Sequence, residues 1–131
     1  MDSGSDRAMD LLGYCYDHAL GVPKDYKMAV DYYRKAADKG NFEAGGNLGI
    51  HYLQGEGVTA NQKKAAELFE KGAKGGSALC MWLYASVLEK GVGVSKNPML
   101  AITYYKKAAA GGIRQAVDWC NEHKVVYSEE N

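Results

Sequence analysis

Ala36-Ala37-Asp38-Lys39-Gly40 returns as Gly72-Ala73-Lys74-Gly75-Gly76 and again as Ala108-Ala109-Ala110-Gly111-Gly112, each copy 36 residues after the last. Subtracting the period once more reaches Gly4. Self-similarity at a fixed spacing of this size marks a repeat architecture. Four residues past each closing glycine stands a small residue, Ala8, Ala44, Cys80 and Ala116. Matched sets follow: Leu12, Leu48 and Tyr84; Gly13, Gly49 and Ala85; Tyr16, Tyr52 and Leu88. A second glycine cluster comes next, as Ala19-Leu20-Gly21-Val22, Gly55-Glu56-Gly57-Val58 and Gly91-Val92-Gly93-Val94.

Each period holds two helical patterns. In helix A, residues Ala8, Leu11, Leu12, Cys15, Tyr16 and Ala19 follow the i, i+3, i+4, i+7, i+8 spacing of one helical face, which a period of two does not fit. In helix B, Ala29, Tyr32, Tyr33, Ala36 and Ala37 recur as Ala65, Leu68, Phe69, Gly72 and Ala73, then as Ala101, Tyr104, Tyr105, Ala108 and Ala109. Gly21, Gly57 and Gly93 fall just past helix A, where a residue without Cβ takes positive φ at little cost and closes the helix. Four residues on, Asp25, Asn61 and Asn97 offer side-chain oxygens to the free N–H groups that open helix B. Pro98 follows Asn97 at the first helical position, where its missing N–H costs nothing. One helix pair cannot bury both of its faces, so successive pairs are expected to stack as a solenoid.

These residues resemble the Sel1-like repeat, a relative of the tetratricopeptide repeat. The likeness is carried by Ala44, Leu48-Gly49, Tyr52, Gly55-x-Gly57-Val58, Ala65, Leu68-Phe69, Ala73 and Gly76, with matching positions in the other two units, and covers roughly residues 4 to 126. The resemblance implies an all-α, right-handed superhelical α/α solenoid whose A helices line a concave groove for protein partners, without enzymatic activity. One branch of the family joins a cysteine late in helix B to one early in the next helix A. The corresponding positions here are Ala37 with Ala44, Ala73 with Cys80, and Ala109 with Ala116, so only one of the six is cysteine. The chain thus looks like the cysteine-poor type. A small-ligand or weak hydrolase role of the penicillin-binding kind, associated with the cysteine-rich branch, stands as the alternative.

Composition narrows the function classes. Sixteen Lys+Arg balance sixteen Asp+Glu, which removes the net positive charge that nonspecific nucleic-acid or anionic-membrane binding relies on. No apolar stretch approaches the roughly 18 residues of a membrane span, and Met1-Asp2-Ser3-Gly4-Ser5-Asp6 lacks the basic start and apolar run of a signal peptide. Cys15, Cys80 and Cys120 are odd in number and contain no C-x-x-C, so neither a disulfide framework nor a zinc knuckle is indicated. The expected localisation is a cytoplasmic, reducing compartment, unless the chain is excised from a longer exported precursor.

Catalytic text is missing: there is no G-x-S-x-G, H-E-x-x-H, G-x-x-x-x-G-K-[ST] or S-x-x-K. His18, His51 and His123 lack a second ligand at i+3 or i+4, so no metal is expected. Cys15 and His51 occupy equivalent positions in adjacent units, but like positions lie about two helix diameters apart, and Val87 fills the slot in unit three; half-buried packing is the expected role. The Gly91-x-Gly93 loop reads as a turn rather than a phosphate cradle. Tyr32-Tyr33-Arg34-Lys35 and Tyr104-Tyr105-Lys106-Lys107 look like nucleic-acid text, yet the tyrosines match Leu68 and Phe69 and belong to the core. Glu67 and Glu70 read as a solvated face of helix B.

The chain is therefore expected to be one repeat domain over 1–131, with units at about 4–39, 40–75 and 76–111, a capping helix from Arg114 to about Val126 within 112–126, and a short tail at 127–131. It is expected to act as an adaptor or scaffold for a protein or peptide, with no cofactor, nucleic acid or membrane. Expected partner-binding residues avoid the Leu12/Gly13/Tyr16 stripe: Asp10, Tyr14, Asp17 and His18 in unit one; Glu43, Ile50, Leu53 and Gln54 in unit two; Trp82, Ser86, Glu89 and Lys90 in unit three. Trp82 is the expected anchor, either beside a hollow left by Gly45 and Gly46 or filling it. The N-terminus has no cap comparable to the last helix, which makes weak self-association through unit one a further expectation.

Overall fold

The computed structural model describes residues 3–127, with side chains described from Asp6 onward. Among these residues there are seven helices and no strand: α1 (Ser3–His18), α2 (Tyr26–Asp38), α3 (Phe42–Gln54), α4 (Gln62–Lys74), α5 (Ala78–Lys90), α6 (Pro98–Ala110) and α7 (Arg114–Glu122). Helices α1/α2, α3/α4 and α5/α6 form the three hairpins; α2 packs on α3, α4 on α5, and α6 on α7. The result is an all-α solenoid in which each helix B lies between its own helix A and the next one.

Start signals sit where the sequence puts them. Asp25 accepts from the Met28 N–H at 3.1 Å, Asn61 from Lys64 at 3.0 Å, and Asn97 from Leu100 at 3.1 Å. Helices α3 and α5 are capped in the same way, Asn41 accepting from Ala44 at 2.9 Å and Ser77 from Cys80 at 3.2 Å. Each such cap satisfies one of the orphan N–H groups at a helix start and is worth about 1 kcal/mol.

The stop signals differ from expectation. Gly55 and Gly91, at φ 68° and 75°, close α3 and α5, two residues before the glycines assigned that task. In unit one the same position is Ala19, forced to φ 56°. Gly57 and Gly93 also have positive φ, but their role is stacking. A Cβ on Gly57 would stand 2.6 Å from the Tyr26 carbonyl carbon, and one on Gly93 would strike the Gln62 carbonyl, each at the start of the preceding helix B. Gly21, with no preceding unit, has open space around it.

The same missing neighbour corrects the packing stripe of unit one. Leu48 and Tyr84 are 4% and 5% exposed because α3 and α5 each lie between two B helices. Leu12, their equivalent, is 41% exposed, and Leu11 and Ala8 are exposed too. At the other end α7 stops at Glu122, short of the expected Val126. Lys124 takes φ 56° and the Val125 N–H donates back to the Cys120 carbonyl at 2.8 Å, a left-handed helix termination made without glycine. The outermost tail, 128–131, lies outside the described residues.

Gly57→Ala is expected to cost about 3 kcal/mol, the strain of positive φ plus displacement of the Tyr26 carbonyl, whereas Gly21→Ala should cost only the strain, about 1 kcal/mol. Urea denaturation of the two variants measures both; equal losses would contradict the stacking role.

Candidate partner-binding face

The polar side chains of the A helices divide into two groups, and packing against helix B makes the division. On α2 the buried Tyr33 hydroxyl donates to Asp17 Oδ2 at 3.1 Å, and on α6 the buried Tyr105 hydroxyl donates to Glu89 Oε1 at 2.6 Å. Both phenols sit well above their ordinary pKa, first because burial disfavours the phenolate and then because of the adjacent carboxylate. In unit two, Phe69 replaces the tyrosine and Leu53 replaces the acid. Hydroxyl and carboxylate therefore come and go together: each helix A residue of this register serves the repeat interior, paired polar in units one and three and apolar in unit two. Asp17, Leu53 and Glu89, three of the expected partner-binding residues, hold helix A to helix B.

His51 joins this arrangement. It is 2% exposed, not half-buried as its spacing suggested, with Nε2 3.1 Å from Asp17 Oδ2 and Nδ1 2.9 Å from the Glu56 carbonyl. Tyr26 packs edge-on at 5.4 Å and Tyr33 tilts against it at 5.9 Å. An Asp–His contact is half of a hydrolase triad, but here the second ring nitrogen is held by a main-chain carbonyl and has no hydroxyl or thiol to activate. Its role is to tie α1 to α3 and to the loop after α3. Cys80 and Cys120 are equally unsuited to nucleophilic work: both are buried, and burial pushes their thiols up. Among the described residues no three His, Cys, Asp or Glu side chains are grouped to hold a metal ion.

The remaining expected residues of α1, α3 and α5 differ in how far they are covered. Tyr14 is 46% exposed and stacks on His18 with ring centroids 4.1 Å apart. Glu43, Gln54 and Lys90 are exposed; Ile50 and Ser86 are half-buried, Ile50 resting against the core. Asp10 is half-buried, one carboxylate oxygen Oδ1 has no hydrogen-bond partner, and burial followed by the charge of Glu43 holds its carboxyl above the usual range.

Trp82 is half-buried, its ring 5.3 Å from that of Tyr105, with the Ser86 hydroxyl donating to its carbonyl at 3.1 Å. The hollow expected beside it is filled: Cys80 Sγ, Leu83 and Leu79 stand at 3.0, 3.5 and 3.8 Å from the place of a Gly46 Cβ, while Ala37 and Leu68 face Gly45. Spacing missed the aromatic continuation: Trp119 of α7 stacks on Tyr105 at 4.0 Å and on His123 at 4.1 Å. Trp82, Tyr105, Trp119 and His123 thus form one aromatic series at the C-terminal end.

The repeat text matches the family model described as Sel1 repeat over residues 6–41, 46–77 and 78–113. The chain belongs to the Sel1 repeat family. Among solved structures this Sel1 repeat protein is similar to a Sel1 repeat protein from Oxalobacter formigenes, at 30% identity and TM-score 0.78 over 94% of this chain and 53% of that one. It is also similar to c5321, a protective antigen of uropathogenic Escherichia coli with an SLR fold, at 30% identity and TM-score 0.81 over 93% of this chain and 27% of that one. The fold is shared with Helicobacter pylori cysteine rich protein B at 20% identity and TM-score 0.73, over 88% of this chain and 89% of that one. The chain spans about half the length of the first of these proteins and about a quarter of the second. No curated protein matched it. Members of the family generally serve as protein-interaction modules and non-enzymatic scaffolds.

Tyr105→Phe in this Sel1 repeat protein should cost about 1.5 kcal/mol, because Glu89 loses a buried hydroxyl donor. Tyr105→Phe/Glu89→Leu, which recreates the Phe69/Leu53 pair, should recover most of it. A double-mutant cycle by denaturant unfolding reads the coupling directly, and additive losses would contradict the pairing.

Proposed function

We propose that the protein is a non-enzymatic adaptor that binds a protein or peptide partner along the outward face of α1, α3 and α5. The observation that carries this reading is the contrast within those helices. Their inward polar groups are engaged by helix B and by His51, whereas Tyr14 is exposed and Ile50, Trp82 and Asp10, although they pack in part against the core or their neighbours, remain only partly covered. Half-exposed aromatic and aliphatic side chains in one strip are the kind of surface partner proteins cover. Family membership supports the same class of role. The hydrolase alternative gains nothing from the described residues, since the Asp17–His51 pair spends both ring nitrogens.

Trp82 is the proposed anchor. A partner isolated by pull-down and then purified should bind the Trp82→Ala variant at least about 2 kcal/mol more weakly, and Tyr14→Ala should weaken it as well. Circular dichroism melts of both variants should stay near wild type. Full retention of binding by both variants would refute the proposed face.

A further inference from the structure

Unit one keeps the residues that seat one repeat on the next, although no helix among the described residues is seated there. Ala8, Leu12 and Tyr16 of α1 repeat Ala44, Leu48 and Tyr52 of α3 residue for residue. On α3 the three are 0%, 4% and 8% exposed, because α3 lies between α2 and α4. The contacts show what α2 brings to that face: Tyr26 and Tyr33 lie against His51, Arg34 donates to the Tyr52 hydroxyl at 3.0 Å, and Ala37 faces Gly45. On α1 the same register is open. Ala8 and Leu12 are exposed, and Cys15 and Tyr16, in the slots of His51 and Tyr52, are half-buried. Gly21 matches Gly57, whose missing Cβ leaves room for the Tyr26 carbonyl, yet it has open space around it.

A free end does not by itself produce such a face. At the other end of the array, α7 carries exposed Asn121 in the register of Gly49, where a Cβ would strike Phe69 of the same unit's helix B. Exposed Lys124 follows in the register of Tyr52 and Leu88, both buried. Polar side chains thus stand at the last unit where a further helix would pack, whereas α1 presents the apolar residues of an internal stacking surface to solvent.

We propose that this face of α1 is a docking site for an amphipathic helix of a partner protein whose apolar stripe repeats that of α2. Such a helix carries aromatic residues at the positions of Tyr26 and Tyr33 and small residues at those of Ala36 and Ala37. The site continues the α2/α3 interface one unit further, with Ala8 and Leu12 taking the places of Ala44 and Leu48. Small residues on both sides let the two backbones approach closely, and Leu12 gains the cover that Leu48 already has. A helix without that stripe leaves Leu12 wet or strikes Ala8. A second copy supplies no such helix, because α2, α4 and α6 each lie between two A helices and their Ala36, Gly72 and Ala108 are already buried. The inference goes beyond the adaptor reading and does not involve Trp82.

The test is fluorescence anisotropy of the purified chain with a labelled peptide of residues 24–40, the α2 sequence with its cap. A lactam between the side chains of Lys27 and Asp31, both exposed on α2, holds the free peptide helical. The peptide should bind saturably, and Ala36→Glu within it should weaken binding at least about tenfold. In the protein, Leu12→Asp and Ala8→Arg, each at an exposed position, should separately weaken binding at least about tenfold while the melting temperature stays near wild type. Trp82→Ala should leave it unchanged. Absence of binding overturns the inference, and so does binding that neither α1 variant weakens, since the peptide then replaces the chain's own α2. Dimerisation in sedimentation that Leu12→Asp abolishes overturns it as well, because the occupant is then a second copy. Peptide binding lost with Trp82→Ala and kept by both α1 variants places the helix on the adaptor face, so that this inference falls and the adaptor reading stands.

Discussion

The solenoid depends on how closely helix B of one unit can approach helix A of the next. At that crossing Gly72 faces Cys80, and a Cβ on the glycine would run into the cysteine side chain. The equivalent pairs on either side are Ala36 with Ala44 and Ala108 with Ala116, all four residues 0% exposed. Two alanines in one crossing are exchanged for a glycine and a cysteine in the next, so a methyl group lost on one helix is returned as a thiol on the other. Close-packed interiors demand such conservation of volume. The Cys80 sulfur also donates to the Phe42 carbonyl at 3.2 Å, which gives the polar end of the thiol a partner. The one cysteine that coincides with a disulfide position of the cysteine-rich branch is thus a packing residue.

Stacking by small residues leaves the two ends of the array unequal. Unit one has no preceding helix B among the described residues, so Leu11 and Leu12 are exposed and Gly21 has free space. The other end is closed by α7, where Ala116 and Cys120 are buried and Trp119 lies over Tyr105. Between the ends, the Asp17–His51–Tyr33 node ties unit one to unit two with polar contacts, while the Phe69/Leu53 pair keeps unit two apolar at the same register. Repeats that look alike in outline are held by different chemistry, and that difference decides which helix A residues are committed to the interior.

Periodic features were legible in the sequence because they depend on position within a unit: the helix pairs, the caps at Asp25, Asn61 and Asn97, and the core tyrosines of helix B. What escaped was set by contacts between units, or by exceptions to the period. The glycines that close α3 and α5 are Gly55 and Gly91, whereas Gly57 and Gly93, more regular across the units, answer to the neighbouring helix. His51 occurs in a slot held by Cys15 and Val87 elsewhere, so spacing alone hid its hydrogen bonds to Asp17 and Glu56. A usable signal was present for Asp17 and Glu89, since the acid and the tyrosine sixteen residues later both disappear in unit two.

The most direct measurement is the stability of Gly72→Ala, Cys80→Ala and the double variant by denaturant unfolding. Overpacking predicts a loss of about 2 kcal/mol for Gly72→Ala, and the missing sulfur a loss of about 1 kcal/mol for Cys80→Ala. The double variant, which rebuilds the alanine pair of the adjacent crossings, should lie within about 0.5 kcal/mol of wild type. A double variant whose loss equals the sum of the single ones would contradict the claim that reciprocal side-chain volume at this crossing sets the stacking of the repeats.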